Sequence, residues 1–425
     1  MAETSALAAE LDEALLAHGQ ADLVVGIPSY RNAATVGHVA RATAEGLRRY
    51  FPDARALIVN ADGGSQDGTV ERVRASADGV PAVAGSYRGR SGKGSALRAI
   101  FEAVSRTGAR VCAVVDADLR SITPEWIGRL LGPVVEGDAD YVTPLYARHK
   151  HDGTITNTVA YPLTRALYGA RVRQPIGGEF AFNAALARAY LAEPVWDTEV
   201  ARFGIDIFMT TTALVRGVRV AQAFLGAKIH DPKDPGADLG PMFTQVVGTA
   251  FALARRHADA WRDVEGSHAV PIIGEVQPVE PEAVNASAPI LLENFRAGAR
   301  ENARAWEEIL SRESREVASA AAASGETGAL RGEPWARIVY DVLAAAKWRE
   351  DTETLARALL PLYFARVAVL IGEVRDLDQT AAERVLEEQA LAFERAKPYL
   401  LERWSGEAAP EAERGTKRQR PRTRK

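Results

Sequence analysis

Short apolar runs alternate with amphipathic segments through the first half of the chain. Apolar runs predict strands at 23–27, 56–59, 82–84, 111–115 and 140–146. Apolar positions at helical spacing predict helices at 35–50, 68–76 and 94–104, and Pro124 is typical of the first turn of another. Alternating strands and helices predict an α/β fold with a mostly parallel, doubly wound sheet.

The second half has long helical periodicity instead. Helices are predicted over 289–323 and 334–404, with interruptions near Gly325, Gly328 and Asp376. Apolar positions in these segments recur at helical spacing, which suits packing against the core or against a second subunit. We therefore expect a homodimer whose contact lies within 335–404.

These patterns predict an N-terminal helix within 1–20, a catalytic domain over 21–240 and a helical extension over 241–404. Residues 265–285 are rich in Pro, Val and Glu and are predicted to connect the two larger parts. The basic tail, 405–425, is expected to be disordered.

Composition narrows the class of protein. The 425 residues are 47% apolar and 25% charged, and the net charge of −4 provides no bulk attraction to nucleic acid, which we do not expect as a partner. Cys112 is the only cysteine, so no internal disulfide can form. There is no basic-then-apolar leader, and we expect no run to span a bilayer. The chain is therefore predicted to be cytoplasmic, with no membrane partner.

Two carboxylates one residue apart close the strand predicted at 111–115. In open α/β sheets ligands collect at the carboxyl ends of the strands, and Asp116 and Asp118 there suit a hard divalent cation that carries substrate phosphates. A merely charged turn is the structural alternative.

Three further patterns precede this pair. Ile27–Asn32 is a strand-to-helix turn whose free amides could face a nucleotide. In the glycine-rich turn 59–69, Asp62 could accept a hydrogen bond from a base, whereas Asp67 is explained as a helix cap. Lys93 lies between two glycines and could fold over a diphosphate, but the spacing is not that of a P-loop.

The order of these motifs over residues 20–235 resembles the GT-A glycosyltransferases, although Gly64 is one glycine more than their second turn carries. Segments 92–97 and 174–180 are similar to retaining enzymes that make glucosyl-3-phosphoglycerate, mannosylglycerate and glucosylglycerate. The resemblance implies a GT-A (Rossmann-like) fold and a sugar-nucleotide donor. The implied nucleotide-sugar-binding residues are Pro28, Tyr30, Asn32, Asp62, Lys93, Asp116 and Ala117. The implied ligands for Mg²⁺ or Mn²⁺ are Asp116, Asp118 and His230.

The same resemblance points to the acceptor. Enzymes using 3-phosphoglycerate resemble Gly-Arg-Val-Thr where this chain has Gly153, Thr154, Ile155 and Thr156, so the arginine for the phosphate is missing. Arg148 matches an arginine that binds the carboxylate of glycerate, and a guanidinium suits a planar carboxylate. We therefore expect D-glycerate or a related small hydroxy acid, with Gly153, Thr154 and Thr156 beside it. Lys150 could replace the missing arginine, which leaves 3-phosphoglycerate as the alternative.

Two further carboxylates complete the predicted site. Glu179 could hold sugar hydroxyls and Asp206 could orient the acceptor or the sugar, although either could be a structural hydrogen-bond acceptor. Together these features predict a metal-dependent, retaining hexosyltransferase, with UDP-glucose favoured as donor over GDP-mannose. An inverting polysaccharide transferase and a non-catalytic sugar-nucleotide-binding protein are the other hypotheses.

Overall fold

Eight strands lie in one sheet in the computed structural model, which describes residues 5–229, 239–277, 279, 281–284, 286–324 and 327–406. The strands are β1 Leu23–Ser29, β2 Ala56–Asp62, β3 Ala82–Ser86, β4 Val111–Val114, β5 Tyr141–Ala147, β6 Phe180–Asn183, β7 Val220–Ala227 and β8 Ile272–Ile273. Their order is β3-β2-β1-β4-β6-β5-β7-β8. Every described pairing is parallel except those of β6 with β4 and β5. The predicted α/β fold with a mostly parallel sheet is confirmed.

Helices cover the sheet and form most of the second half. In the first half they are α1 Ala9–His18, α2 Val36–Tyr50, α3 Thr69–Ser76, α4 Lys93–Thr107, α5 Pro124–Val135, α6 Tyr161–Tyr168, α7 Ala184–Leu191 and α8 Ile205–Val215. The later ones are α9 Leu239–Arg256, α10 Ala258–Trp261, α11 Ala288–Ile309, α12 Arg312–Ser324, α13 Gly332–Ala345, α14 Thr352–Val374 and α15 Gln379–Ser405.

The strands are apolar because both faces of the sheet are buried. All seven residues of β1 are buried, as expected for a parallel strand between two helical layers. On one face Leu47 of α2 and Ile127 of α5 pack in a single cluster, and on the other Phe101 of α4 packs with Phe182. Cys112 is fully buried in this core.

The helical half shares a core with the catalytic half. Ile155, Val159 and Leu163 lie in the same buried cluster as Phe243 and Leu359. Four of the apolar residues behind the dimer expectation are buried in this cluster too: Ile338, Val342, Leu343 and Leu359. The faces that motivated a dimer contact therefore pack within the chain, and the dimer stays a prediction.

Several predicted boundaries are wrong in detail. Within 265–285, β8 joins the sheet by pairing with β7, so this segment is more than a connection. The polar stretch after β5 ends in a one-turn π-helix, Thr156–Ala160. The helices of the second half also break at 310–311 and 346–351. Gly325 and residues 407–425 of the basic tail lie outside the described residues.

Helix α14 corrects the expectation that no run could cross a bilayer. By length and composition it is apolar enough to do so, but 72% of its most apolar window is buried inside the protein. The core helix of a soluble protein passes the same test. Burial explains why α14 is apolar without a membrane.

Candidate active site

The predicted site residues meet at one edge of the sheet. β1 pairs with β2 on one side and with β4 on the other, so successive connections diverge between β1 and β4. A crevice forms at such a switch point, beyond the carboxyl ends of the strands. Because β6 is antiparallel to β4, the start of β6 also lies at this edge, next to Glu179.

Two lysines and three carboxylates form a cluster in this crevice. Lys93 Nζ lies 2.8 Å from Asp116 Oδ1 and 3.2 Å from Asp206 Oδ1. Lys228 Nζ donates to both oxygens of Glu179, at 3.0 and 2.9 Å, and to Asp116 Oδ2 at 3.1 Å. We call these five residues the lysine–carboxylate cluster. The fold thus brings together four predicted residues that are far apart in sequence.

Burial and neighbouring charges shift the pKa values of the groups in this cluster. Glu179 is fully buried, and that burial raises its pKa while Lys228 opposes the rise. Burial alone would lower the pKa of Lys93, but the charges of Asp116, Asp206 and Glu179 raise it above its ordinary value. Both lysines are therefore held as cations. An ammonium pair of this kind can receive a polyanionic group such as a diphosphate.

Lys228 is the functional candidate that sequence reasoning missed. It follows β7 and its side chain is only 6% exposed. It also donates to the carbonyl of Gly177 at 2.9 Å. A lone lysine after a strand has no distinguishing local signal. Only the pairing of β7 with β5, which places that strand end opposite Glu179, reveals its role.

The glycines beside Lys93 have a packing reason. A Cβ on Gly94 would lie 1.8 Å from the carbonyl oxygen of Val200, and one on Gly92 would lie 2.6 Å from that of Ala201. The amide of Gly94 donates to the carbonyl oxygen of Arg202 at 3.1 Å. The start of α4 is therefore held against residues 200–202, and the diphosphate contact of Lys93 stays a prediction.

A second glycine turn makes room for Asp116. Gly178 has a φ of +102°, and a Cβ there would lie 2.4 Å from Asp116 Oδ2. The turn also carries Glu179 into the cluster. Glycine is required at this position both by its backbone conformation and by the carboxylate beside it.

Asp62 is committed to its own turn. Its Oδ1 accepts from the amides of Gly64 and Ser65 at 2.9 and 2.6 Å, and its Oδ2 accepts from the hydroxyls of Ser29 and Ser65 at 2.6 and 2.8 Å. A carboxylate offers about four acceptor positions. A nucleobase would therefore have to replace one of these donors, and the predicted base contact stays a prediction.

The turn after β1 presents one exposed ring. Tyr30 is 55% exposed, and its ring packs over the backbone of Gly63. Asn32 Oδ1 accepts from the amide of Tyr30 at 2.8 Å, so Asn32 shapes the turn. Pro28 is buried within β1. An exposed ring at the mouth of the crevice suits a stacking partner such as a base.

The same turn is tied to the strand that carries the aspartate pair. The carbonyl oxygen of Ala117 accepts from the hydroxyl of Thr35 at 2.8 Å. This bond holds the start of α2 and the segment after β4 in fixed relative positions.

Arg148 lies next to the lysine–carboxylate cluster. The Tyr146 ring centroid is 5.5 Å from both the guanidinium carbon of Arg148 and Lys228 Nζ. The Tyr146 hydroxyl donates to Glu179. Arg148 pairs with Asp152 at 2.9 Å, and its buried Nε has no hydrogen-bond partner among the described residues. A buried donor of this kind is a natural contact for a carboxylate.

The other predicted acceptor residues belong to the same loop. Gly153 has a φ of +64° and packs against Arg148. Thr154 Oγ1 lies 2.6 Å from the hydroxyl of Tyr363, and Thr156 is buried at the start of the π-helix. Lys150 Nζ donates to two carbonyls just beyond the end of α14, so a contact with an acceptor phosphate would require it to leave them.

The donor set for a metal is incomplete in the described part of the chain. Asp116 and the half-buried Asp118 provide carboxylate oxygens, which fit Mg²⁺ or Mn²⁺. His230 lies outside the described residues, whereas Ile229 accepts from the amide of Arg120 at 2.8 Å. No group of three metal-binding side chains occurs among the described residues. The three-ligand site therefore stays a prediction.

The family comparison matches the part of the chain that carries most of the predicted site. Residues 24–196 match the family model described as glycosyl transferase family 2. This part of the chain is therefore similar to that family. The match includes Lys93, Asp116, Arg148 and Glu179 but ends before Asp206 and Lys228.

Curated relatives match a comparable share of the chain. A glucosyl-3-phosphoglycerate synthase of Mycolicibacterium paratuberculosis is 27% identical over 222 residues, which are 46% of this chain and 62% of that protein. The synthase of the same name from Mycolicibacterium smegmatis is 28% identical over 252 residues, 54% of this chain and 76% of that protein. The chain thus spans less than two thirds of the first relative.

A solved structure is also similar to this chain. The glucosyl-3-phosphoglycerate synthase of Mycobacterium tuberculosis, in complex with Mn²⁺, UDP and glucosyl-3-phosphoglycerate, is 25% identical. The match covers 60% of this chain and 86% of that one, with a TM-score of 0.45.

Proposed function

We propose that this protein is a retaining, divalent-metal-dependent hexosyltransferase of the cytoplasm that moves glucose from UDP-glucose to a glycerate-type acid. The observation that carries the proposal is the lysine–carboxylate cluster at the switch point of a GT-A domain, with Arg148 beside it. A sugar–nucleotide bond can break there because the site offers cations to the leaving group and acidic oxygens to the sugar.

The leaving diphosphate is the group that needs the cations. Lys93 stands in the first turn of α4, where the amides of a helix N-terminus also favour negative charge. Lys93 and Lys228 would exchange contacts with carboxylates for contacts with the departing phosphates. Asp116, Asp118 and His230 would hold Mg²⁺ or Mn²⁺, which acts as a Lewis acid toward the phosphate oxygens. This stabilisation grows as negative charge develops, so it lowers the barrier.

The remaining carboxylates suit orientation. Glu179 is fully buried and already accepts from Lys228, Tyr146 and the amide of Asp116, so a sugar hydroxyl would have to replace one of these donors. Asp206 lies in the first turn of α8, with Lys93 on one side, and can orient the acceptor hydroxyl. Retention requires the hydroxyl to reach the anomeric carbon on the face that the phosphate leaves, which depends on positioning more than on a strong base.

The relatives favour a different acceptor from the main sequence expectation. Their name specifies 3-phosphoglycerate, the alternative of the sequence analysis, rather than D-glycerate. Against this stand the missing arginine and the engagement of Lys150 by α14. We propose 3-phosphoglycerate as the first acceptor and D-glycerate as the second, with Arg148 binding the carboxylate that both share.

An acceptor panel tests the proposal. Purified protein is assayed with UDP-glucose and GDP-mannose against 3-phosphoglycerate, D-glycerate and glycerol 3-phosphate, with Mg²⁺, Mn²⁺ or EDTA. We expect transfer from UDP-glucose that EDTA abolishes, and an α-linked product by NMR. Asp118→Asn should lose activity, whereas Asp53→Asn, at an exposed aspartate, should not. Turnover unaffected by EDTA would contradict the metal role.

The same panel separates the other hypotheses. An inverting polysaccharide transferase would give a β-linked product and would elongate glycans. A sugar-nucleotide-binding protein would bind UDP-glucose in calorimetry without turning over any acceptor. Neither hypothesis accounts for the position of Arg148 beside the cluster.

A further inference from the structure

The helical half directly supports the predicted acceptor loop, which we define as residues 148–158. Lys150 Nζ donates to the carbonyls of Arg375 and Leu377 at 2.6 and 2.8 Å. Gln379 Nε2 donates to the carbonyl of Arg148 at 2.6 Å. Such main-chain contacts fix where the loop runs. The start and the middle of the loop are therefore held by the junction between α14 and α15.

Tyr363 makes the contact nearest to the predicted acceptor. Its hydroxyl lies 2.6 Å from Thr154 Oγ1. The residue is fully buried in α14, and its ring stacks on Phe243 with centroids 4.2 Å apart. A buried tyrosine hydroxyl needs a partner, and stacking leaves this one little freedom to find another. Thr154 is therefore held by a rigid group.

The position of Thr154 affects Arg148 through Gly153. A Cβ placed on Gly153 would lie 3.3 Å from Arg148 Cδ, so the backbone of Gly153 packs closely on that side chain. Gly153 also has the left-handed φ of +64°, which defines a tight turn. If Thr154 moved, the turn before it would move against the guanidinium. A continuous chain of contacts thus connects Tyr363 through Thr154 and Gly153 to Arg148.

We propose that Tyr363 is a positioning residue for the acceptor: through Thr154 it sets the turn that places Arg148. This inference rests on the proposed function and names a determinant of its acceptor site outside the match to glycosyl transferase family 2, which ends at residue 196. The helical half is then part of acceptor selection. Two chains with the same 148–156 sequence would differ in acceptor affinity if their helical halves differed.

The experiment compares Tyr363→Phe with Tyr340→Phe. Both remove only a hydroxyl from a fully buried ring in the same core, but the Tyr340 hydroxyl donates to the carbonyl of Phe393, away from the loop. Loss of one neutral hydrogen bond predicts an acceptor KM about 3- to 10-fold higher for Tyr363→Phe. The KM for the donor, the kcat and the metal requirement should stay within about twofold, because the cluster is untouched.

Two changes at Thr154 complete the design. Thr154→Ser keeps a hydroxyl at this position and should raise the acceptor KM less than Thr154→Val does. Thr154→Val removes it and should reproduce the effect of Tyr363→Phe, and the double variant should be no worse than either single one. Additive effects would overturn the inference, because the two groups would then act separately.

Hydrogen exchange gives a readout that needs no turnover. Amides of 154–160 should exchange faster in Tyr363→Phe than in wild type or Tyr340→Phe. If wild type transfers hexose but neither the acceptor KM nor this exchange changes, the inference is overturned while the function stands. If wild type transfers to no acceptor, the proposed function fails, and the exchange result alone supports or overturns the anchoring role. Equal rises in donor and acceptor KM would indicate a general structural defect and also overturn it.

Discussion

Replacing Lys228 with methionine should leave a buried negative charge without its ion-pair partner. Lys228 is the ammonium group within hydrogen-bonding distance of both Glu179 oxygens, and the Glu179 side chain is fully buried. Lys93 stays 2.8 Å from Asp116, so Asp116 keeps a partner in the variant. The charge that loses its partner is therefore that of Glu179.

The magnitude follows from burial and proton uptake. Removing one partner of a buried ion pair costs about 3–5 kcal/mol. Glu179 can escape this cost by binding a proton, because burial already raises its pKa to about 7 against the opposing charge of Lys228. Without Lys228 the pKa rises further. At pH 7 we therefore expect Lys228→Met to lower the free energy of unfolding by about 3 kcal/mol, the lower end of that range.

The cost should grow with pH. In the folded variant Glu179 is protonated, whereas in the unfolded chain it is ionised, so unfolding releases a proton and rising pH favours unfolding. In wild type the same group is already ionised above pH 7. Each further pH unit adds about 1.36 kcal/mol, so the difference from wild type should be about 2 kcal/mol larger at pH 8.5.

Urea denaturation in EDTA at both pH values measures these terms. The matched control is Lys347→Met, because Lys347 is half-buried and donates to the carbonyl of Trp404 at 2.6 Å rather than to a carboxylate. Glu179→Gln combined with Lys228→Met should recover most of the stability and remove the pH dependence. A loss below about 1 kcal/mol at both pH values, or no recovery in the double variant, would refute the reasoning.

Three further predictions concern the packing of Gly94, the burial of Lys397 and the turn that contains Asp62. Gly94→Ala should lower the free energy of unfolding by about 3 kcal/mol, because its Cβ would lie 1.8 Å from the Val200 carbonyl oxygen. Gly132→Ala, with open space around it, should raise the free energy of unfolding by about 0.5–1 kcal/mol. Equal effects of the two variants in denaturant titrations would contradict this. Lys397→Met should gain about 1 kcal/mol at pH 7, because burial lowers the pKa of Lys397 to about 8. That gain should fade between pH 8 and 10.5, where the wild-type lysine is neutral when folded and charged when unfolded, and a variant less stable at pH 7 would count against it. Asp62→Asn should lose about 2 kcal/mol in the same assay, because the four donors to the carboxylate lose its charge, and unchanged stability would show that the turn does not need it.

Much of the fold was predictable from short-range pattern. The strands at β1, β2 and β4 are apolar because both faces of the sheet are covered, so their burial is visible in composition alone. β8 was not predictable, since it has only two residues and Ile272 is 48% exposed. Its membership of the sheet depends on β7, which lies about 45 positions earlier in the chain.

The site was predictable only in its parts. Motifs pointed to Lys93, Asp116, Glu179 and Asp206, and the structure brings these four together, although their roles remain to be tested. Lys228 was missed because its significance lies in a partner from another strand.

The amino-acid pattern was enough to predict the kind of sheet and the acidic and basic groups at its carboxyl edge, because both follow from periodicity and from neighbours along the chain. The folded arrangement settled which charges meet. Lys93 and Asp206 are 113 positions apart, and Thr154 and Tyr363 are 209 apart. Contacts of this length depend on packing between distant elements, and hydrogen bonds and ion pairs act only over a few ångströms.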